Sequence, residues 1–186
     1  MRSKQVSDQE VINALFSVIR AHGYAGANLS ILSRATRLKK ASLYHRYPGG
    51  KKEMAADVLR HVHDFIHTHI YKVCTDVTVE PTLRLQNVLL NIHQIYDGGN
   101  KHCVLKAMTI DDGIEHFGNQ IAGCFKKWML AFEKLAVALG HSKKSATETA
   151  ELAVMIIQGA LVVSKATSAK VRFKRALQKV RDLYTG

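Results

Sequence analysis

Several residue types and motifs are scarce in this sequence, and each shortage narrows the class of protein. Only two prolines occur in 186 residues, and few stretches alternate polar with β-branched residues, so the pattern favours helices over strands. The three cysteines are odd in number and far apart, which indicates reduced thiols rather than a disulfide framework. No GxSxG, P-loop, HExxH or dinucleotide motif occurs, so we expect neither an enzyme nor a bound cofactor.

Long apolar runs and an apolar leader are also missing. No run approaches the roughly 20 residues that a membrane span requires. The opening residues, MRSKQVSDQE, lack the apolar core of a signal peptide. We therefore expect a cytoplasmic protein that does not enter a membrane.

Acidic residues are few and unevenly placed. The chain has 27 Lys and Arg against 15 Asp and Glu, a net charge of +12. Residues 1–60 hold 11 basic and 4 acidic residues, whereas residues 61–186 hold 16 and 11. From Arg34 to Lys52 there are seven basic residues and no acidic one. This pattern indicates a polyanionic partner, nucleic acid or an anionic membrane surface, at the N-terminal end.

Helical spacing of apolar residues predicts an all-α chain of about nine helices. Ser7 and Glu10 form a capping box that begins the first helix, and Gly23 ends it. A short second helix follows, and after a tight turn near Arg37 a third, basic helix continues to Pro48. This order is typical of a helix-turn-helix DNA-binding domain.

The rest of the pattern predicts a long linking helix and then a helical bundle. We expect the helix-turn-helix domain in residues 1–50, the linking helix over about 51–74, and the second domain in residues 75–186. Residues 73–79 read as a loop. The helix over residues 145–166 is apolar on more than one face, so it would meet a second subunit or lie at the centre of a monomer.

The third helix has the residue types that reading a major groove requires. Ala41 and Ser42 leave its face slim enough to enter the groove, and the neighbouring donors reach base edges and phosphates. Two lysines begin the linking helix, where free N–H groups favour an anion. The predicted DNA-binding residues are Arg37, Lys39, Lys40, Ala41, Ser42, Tyr44, His45, Lys51 and Lys52.

Residues 32–54, LSRATRLKKASLYHRYPGGKKEM, resemble the helix-turn-helix of the TetR (tetracycline-repressor) family. The family's Leu-Tyr pair is present as Leu43-Tyr44, its following aromatic residue is Tyr47, and its Lys-Glu-apolar sequence is present at 52–54. The segment YPGGKKEM, together with a Cys-Val-Leu sequence and a tryptophan further along the chain, resembles in particular the efflux- and resistance-type regulators of that family.

Three positions depart from the family pattern. Arg37 stands where the family has a turn glycine, Lys39 where it has a serine cap, and Ala41 where it has a small glycine. The first two should each weaken the turn by about 1 kcal/mol. They also add two cations to the surface that would face the duplex.

The resemblance implies a homodimeric, ligand-responsive regulator of transcription. It implies a repressor that a small apolar or aromatic inducer releases from a palindromic double-stranded DNA operator, with phosphate contacts from Tyr44 and Lys52. It implies an inducer pocket in the second domain, for which the candidates are His93, Tyr96, Cys103, Met108, Phe117, Phe125, Trp128, Met129 and Phe132. It also implies a four-helix dimer interface from the last two helices, with candidates Leu152, Met155, Ile156, Gly159, Val163, Leu177, Val180 and Tyr184.

Two classes of alternative stay open: a regulator that senses a metal or a thiol, and a protein that binds polyanions without sequence preference. The run His61–His69 places His63 and His67 four residues apart, a spacing that would suit a metal-sensing regulator. Cys103, beside His102, would suit a thiol sensor if its pKa were depressed. The basic surface would otherwise bind nucleic acid, or an anionic membrane, without sequence preference.

Overall fold

The computed structural model describes residues 6–186, which form helices joined by turns. The elements are α1 (Asp8–Gly26), α2 (Leu29–Thr36), α3 (Lys40–Arg46), α4 (Gly50–Ile66), a π-helical turn (His67–Tyr71), α5 (Lys72–Thr75), α6 (Pro81–Ile95), a 3-10 turn (Asp97–Gly99), α7 (Val104–Met108), α8 (Asp112–Ala138), α9 (Lys143–Ala166) and α10 (Lys170–Thr185). Because α4, the π turn and α5 are continuous, the described residues form nine helices and no strand. The predicted all-α fold is confirmed.

The first helix has side-chain caps at its start and a glycine near its end. The Ser7 hydroxyl accepts a hydrogen bond from the Glu10 N–H at 3.2 Å, and the Glu10 carboxylate accepts one from the Ser7 N–H at 2.8 Å. This capping box satisfies two N–H groups that no helical carbonyl reaches. Gly23 has a non-helical conformation with a φ of 68°, and the helix continues after this kink to Gly26. The predicted start is correct, whereas the predicted end is a kink.

The linking helix continues further than the sequence predicts. Residues 73–75 were expected in a loop, but the helix continues to Thr75. Ile66, Ile70 and Cys74 are all buried, and their four-residue spacing keeps one apolar face turned to the core through the π turn. The loop is therefore shorter than predicted, and the proline after it begins α6 as expected.

The described chain divides into two compact units. The first contains the described residues up to Val62 together with Val104–Ile121, and the second contains His63–Cys103 together with Ala122–Gly186. The first unit thus holds the three N-terminal helices, α4 as far as Val62, α7 and the beginning of α8. Sequence spacing did not anticipate that α7 would join the N-terminal helices, and the domain limits drawn from the sequence stay a prediction.

The first unit has its own apolar core and one close helix approach. A Cβ on Gly23 would lie 3.0 Å from the Ala107 carbonyl oxygen, so a glycine lets α1 approach α7. The Tyr24 ring packs edge-to-face on Phe117 with centroids 5.1 Å apart. Its fully buried side chains include Val11, Leu15, Leu32, Leu43 and Met54.

The second unit is built around large aromatic and aliphatic side chains. The Tyr184 hydroxyl donates a hydrogen bond to the Phe132 carbonyl oxygen at 3.3 Å, and the two rings lie 5.8 Å apart. Burial raises the pKa of Tyr184 well above its usual value. Each such buried side chain contributes about 1.5–3 kcal/mol. The largest fully buried ones are Leu85, Ile92, Trp128, Phe132 and Phe173.

Helix α9 is only partly covered within the described chain. Its length and composition are sufficient for a membrane span, with a mean hydropathy of 1.4 in an 18-residue window of which 33% is buried. The expectation that no segment is long and apolar enough to span a membrane is therefore corrected. Gln158 and Ser164 interrupt the apolar run of α9, but its mean hydropathy stays high enough for a span. Its exposed apolar side chains are Leu152, Met155, Val162 and Val163.

Candidate nucleic-acid interface

The turn between α2 and α3 adopts the left-handed conformation at an arginine. Arg37 has a φ of 57° and a ψ of 22°, a region that costs a residue with a side chain about 1–2 kcal/mol. Two hydroxyl groups brace the turn: Ser33 donates to the Leu38 carbonyl oxygen at 2.6 Å, and the Thr36 hydroxyl accepts from the Leu38 N–H at 3.4 Å. These bonds offset part of the cost of placing arginine where the resemblance has glycine.

Helix α3 is short and is held in place by its buried side. Its N-cap residue is Lys39, and no side-chain cap is present there in the described chain. Leu43 is fully buried, and Tyr47 is 8% exposed. The Tyr47 hydroxyl donates to the Asp57 carboxylate on α4 at 2.9 Å. Burial and this bond raise the pKa of Tyr47 well above its usual range. Because Asp57 binds its hydroxyl, Tyr47 has an internal role and holds α3 on α4.

The predicted DNA-binding residues lie in α3, in the turn before it and in the first turn of α4. Eight of the nine are exposed, and Tyr44 keeps half of its surface accessible (50%). The small side chains of Ala41 and Ser42 lie on the exposed side of α3. The surface is therefore slim, hydroxyl-bearing and cationic, as a major-groove contact requires. The eight exposed residues are Arg37, Lys39, Lys40, Ala41, Ser42, Tyr44, His45 and Lys52.

Lys51, the ninth predicted residue, has an internal partner. Its amine donates to the Tyr24 carbonyl oxygen at 3.2 Å and lies 4.2 Å from the centroid of the Tyr24 ring. A hydrogen bond and a cation–π contact thus join α4 to the end of α1. Lys52, the next residue, is exposed. Of the two adjacent lysines, Lys51 therefore has an internal partner, whereas Lys52 extends into solvent.

Arg46 also makes internal contacts. Its guanidinium lies 3.3 Å from the Asp8 carboxylate and donates to the Val6 carbonyl oxygen at 3.4 Å. The Asp8 side chain is 94% exposed, so this ion pair contributes little stability. It nevertheless orients Arg46 toward the start of α1.

The beginning of α4 is shaped by two glycines and a glutamate. Gly50 has a φ of 65°, and the Gly49 N–H donates to the Glu53 carboxylate at 2.8 Å. A Cβ at Gly50 would lie 3.3 Å from the Tyr44 ring. Gly50 therefore allows the tight approach, and Glu53 supplies the negative charge that a helix N-terminus favours.

Comparison with known proteins places this geometry in context. No family model matches the chain. The chain is 22% identical over 161 residues to the HTH-type transcriptional regulator LmrA of Bacillus subtilis (strain 168), covering 85% of this chain and 86% of that protein. It superposes on a TetR transcriptional regulator from Legionella pneumophila with a TM-score of 0.84 at 15% identity, covering 98% of both chains. The chain has the fold of the TetR-family regulators. The TetR resemblance predicted from residues 32–54 is confirmed.

A further TetR-fold structure contains DNA. A cysteine mutant of the TetR family transcriptional regulator CifR, complexed with 26-bp double-strand operator DNA, matches with a TM-score of 0.76 at 17% identity over 98% of both chains. The narrower resemblance to efflux- and resistance-type regulators stays a prediction.

The residues predicted to line an inducer pocket lie in both units. Met108 and Phe117 belong to the first unit, where Phe117 packs on Tyr24. Seven lie in the second unit: His93, Tyr96, Cys103, Phe125, Trp128, Met129 and Phe132. Within this set, the rings of His93 and Tyr96 both contact Phe173, with centroids 6.5 and 6.1 Å apart.

The residues predicted for the dimer interface also fall into two groups. Leu177, Val180 and Tyr184 are at most 7% exposed and pack inside the second unit, because the apolar side of α10 covers that unit's own core. The α9 residues face outward, with Met155 65% exposed and Val163 48% exposed. The exposed set is Leu152, Met155, Gly159 and Val163, and Ile156 is half-buried.

The histidine run does not converge on one point. His61 packs on Phe16, His67 stacks on Tyr71, and His69 packs on Phe65. In the described part of the chain, no group of three or more His, Cys, Asp or Glu side chains is placed to hold a metal ion.

The three cysteines are all buried and free. Burial raises the pKa of the Cys124 thiol to about 11 and that of Cys74 further. A thiol with a raised pKa holds little thiolate at neutral pH and reacts slowly. These two cysteines therefore do not favour the thiol-sensing alternative.

Four residues that support the interface were not predicted from the sequence. Ser33 and Thr36 brace the turn, Asp57 binds Tyr47, and Tyr24 binds Lys51. The sequence did contain a signal for Ser33 and Thr36, because hydroxyl residues directly before a turn often hydrogen-bond to its backbone. The partners 10 and 27 residues away had none, because sequence spacing does not reveal contacts between helices.

Proposed function

We propose that this protein is a DNA-binding transcriptional regulator, a repressor that a small molecule releases from a palindromic operator. The observation that carries the proposal is the exposed cationic side of α3, held by buried Leu43 and Tyr47 on its other side. The TetR fold and the sequence similarity to HTH-type regulators support it. CifR, which has the same fold, is a TetR family regulator seen on operator DNA.

Different residues of this surface have different proposed roles. Tyr44 and Lys52 bind phosphates, which supply affinity without sequence preference. Lys40 and Ser42 reach base edges, and Ala41 lets the helix approach them. Arg37 and Lys39 add cations at the margins of the contact, and His45 adds a hydrogen-bonding ring. Lys51 supports the surface by holding the first turn of α4 on Tyr24.

The test is a titration of the whole protein with DNA. The inverted repeat nearest its gene and a scrambled duplex of equal length would be compared by fluorescence anisotropy at physiological salt. We expect the repeat to bind at least a thousandfold more tightly, as specific protein–DNA complexes do. Equal affinities would leave only nonspecific nucleic-acid binding.

The inducer is proposed to bind in the second unit, beside Trp128. The indole N–H of Trp128 is buried without a hydrogen-bond partner among the described residues, although the side chain is only 1% exposed. An unsatisfied buried donor costs about 1–3 kcal/mol, so a ligand that offers an acceptor gains affinity there. We therefore propose an aromatic or apolar inducer that carries a carbonyl or ether oxygen.

Trp128 is the only tryptophan in the chain, so its fluorescence reports on this site alone. Candidate compounds that release operator DNA should change the emission of Trp128. Release without any change in emission would place the inducer elsewhere and leave the DNA-binding proposal intact.

The quaternary structure is proposed to be a homodimer built on α9. Its outward apolar residues need a cover, and a dimer would present two recognition helices to a palindrome. Gly159 is exposed on this side with open space around its Cβ position, which would allow close approach of a partner helix. We further propose a cytoplasmic location and no enzymatic activity, in line with the transcriptional regulators that the chain resembles.

A further inference from the structure

Three rings and two lysines form a cluster in the second unit that DNA binding does not use. His63, His67 and Tyr71 lie four residues apart along the end of α4 and the π turn. Lys127 and Lys134 lie seven residues apart on α8, and therefore on one side of that helix. We refer to these five side chains as the Lys–His cluster. π-helical turns occur often at functional sites.

The five side chains lie close together around the Tyr71 ring and His63. The Lys127 amine lies 3.2 Å from the His63 Nε2 atom and 5.9 Å from the centroid of the Tyr71 ring. The Lys134 amine donates to the Tyr71 hydroxyl at 2.8 Å and lies 5.3 Å from the same ring centroid. The ring of His67 stacks on Tyr71 with centroids 5.5 Å apart. Both ammonium groups thus lie beside one tyrosine.

The two ammonium groups of the cluster, those of Lys127 and Lys134, have no carboxylate partner within ion-pair distance among the described residues. The acid beside the cluster is Asp64, whose carboxylate is 3.4 Å from His63 Nδ1 and whose side chain is 81% exposed. Desolvation, and then the charge of Lys127, lower the pKa of His67, as expected of an imidazole held near an unpaired cation.

One polar atom of the cluster also lacks a partner. The Nδ1 atom of His67 is buried and has no hydrogen-bond partner among the described residues. Two unpaired ammonium groups, a phenol hydroxyl and an unsatisfied imidazole nitrogen are the donors that bind an oxyanion. The rings of Tyr71 and His67 hold these donors in place.

We propose that the Lys–His cluster binds the oxyanion group, carboxylate or phosphate, of a small molecule. Lys127 and Lys134 donate to its oxygens, and Tyr71, which accepts from Lys134, donates its own proton to the anion. Binding neutralises the cluster and joins the end of α4 to α8 within the second unit. The site goes beyond the proposed regulator, and only its influence on operator release rests on that function.

The test is a calorimetric titration of the full-length protein with inorganic phosphate and, separately, with benzoate. Sodium chloride at equal ionic strength is the reference. We expect saturable binding of at least one anion by about 10 mM, ten times a millimolar Kd. Binding of phosphate alone or of benzoate alone identifies which source of the oxyanion the site accepts, and either supports the proposal.

Matched variants locate the binding. Lys127→Gln and Lys134→Gln should each weaken it about tenfold, the loss expected for one charge-assisted hydrogen bond. Lys126→Gln changes an exposed lysine on the same helix and should leave affinity unchanged. Lys52→Gln removes a cation from the proposed DNA surface and should also leave it unchanged. Thermal unfolding without anion checks that each variant is folded.

Two results would overturn the inference. One is heat that matches the chloride reference for both anions, and the other is saturable binding that persists unchanged in the Lys127 and Lys134 variants. The operator titration tests the proposed regulator independently of the anion site. If the anion binds but no operator does, the cluster stands and the proposed regulator fails.

Discussion

At the scale of single residues, Arg37 is the most informative departure. Arg37 stands where the TetR-like pattern has a turn glycine, and it adopts the left-handed conformation with a φ of 57°. Ser33 and Thr36 hold the turn through their hydroxyl groups. The conformational cost at Arg37 is tolerated, and its charge remains exposed.

Arg37→Gly should therefore stabilise the protein. Relief of the left-handed strain, about 1–2 kcal/mol, exceeds the added entropy of an unfolded glycine, about 0.4–1 kcal/mol. We expect a gain of about 0.5–1 kcal/mol in the free energy of unfolding by urea. Arg34→Gly, in the helical conformation of α2, is the control and should lose about 1 kcal/mol. Equal losses in both variants would contradict the prediction.

The adjacent lysines of α4 provide a second test. Lys52→Ala should weaken binding to every duplex and lower the slope of log K against log salt by about 1. Lys51→Ala should leave that slope unchanged but lower stability by about 0.5–2 kcal/mol, because it removes the contacts with Tyr24. Anisotropy over a salt series, with urea unfolding in parallel, separates the two effects. The same slope change in both variants would show that Lys51 also reaches phosphate.

At the scale of elements, helix α3 depends on its attachment to α4. Seven residues are too few for a stable isolated helix, so buried contacts must hold it. Leu43 supplies the apolar contact, and the bond from Tyr47 to Asp57 supplies the polar one. The sequence pattern identified neither this pair of buried contacts nor the acceptor, because both depend on packing against another helix.

Tyr47→Phe should destabilise the first unit. The change leaves the ring in place and removes the donor to Asp57, at a cost of about 1–2 kcal/mol. Tyr44→Phe is the matched control, because the Tyr44 ring is half exposed and should lose little stability. Urea unfolding of both variants measures the difference. Equal stability of the two variants would mean that the hydroxyl of Tyr47 contributes nothing beyond what water supplies.

At the scale of the whole molecule, α9 sets the quaternary structure that we propose. Its apolar residues are divided between an inner side that packs in the second unit and an outer side that is exposed. Sequence spacing favoured an interface but could not assign the residues of α10, whose apolar side turns out to be internal.

Met155→Glu should therefore convert the proposed dimer to monomer. It places a charge at the most exposed apolar position of α9, 65% accessible, where a dimer would bury it at a cost of several kcal/mol. Light scattering during size-exclusion chromatography measures the mass. Leu130→Glu, at a position on α8 that is 42% exposed, is the control and should not alter it. A dimer through α9 would be contradicted if the unmutated protein had the mass of a monomer. It would also be contradicted if the protein eluted bound to detergent micelles, as a membrane-inserted helix would.

Sequence alone determined the helical class, the helix-turn-helix, its cationic side and most helix limits. These depend on local spacing, caps and breakers, which neighbouring residues decide. Tertiary structure alone decided that Lys51 binds Tyr24, that α7 packs on α1, that the apolar side of α10 is internal and that Lys127 meets His63. The physical reason is that such contacts join residues far apart in the chain, and periodicity shows which side of a helix is apolar without showing what covers it.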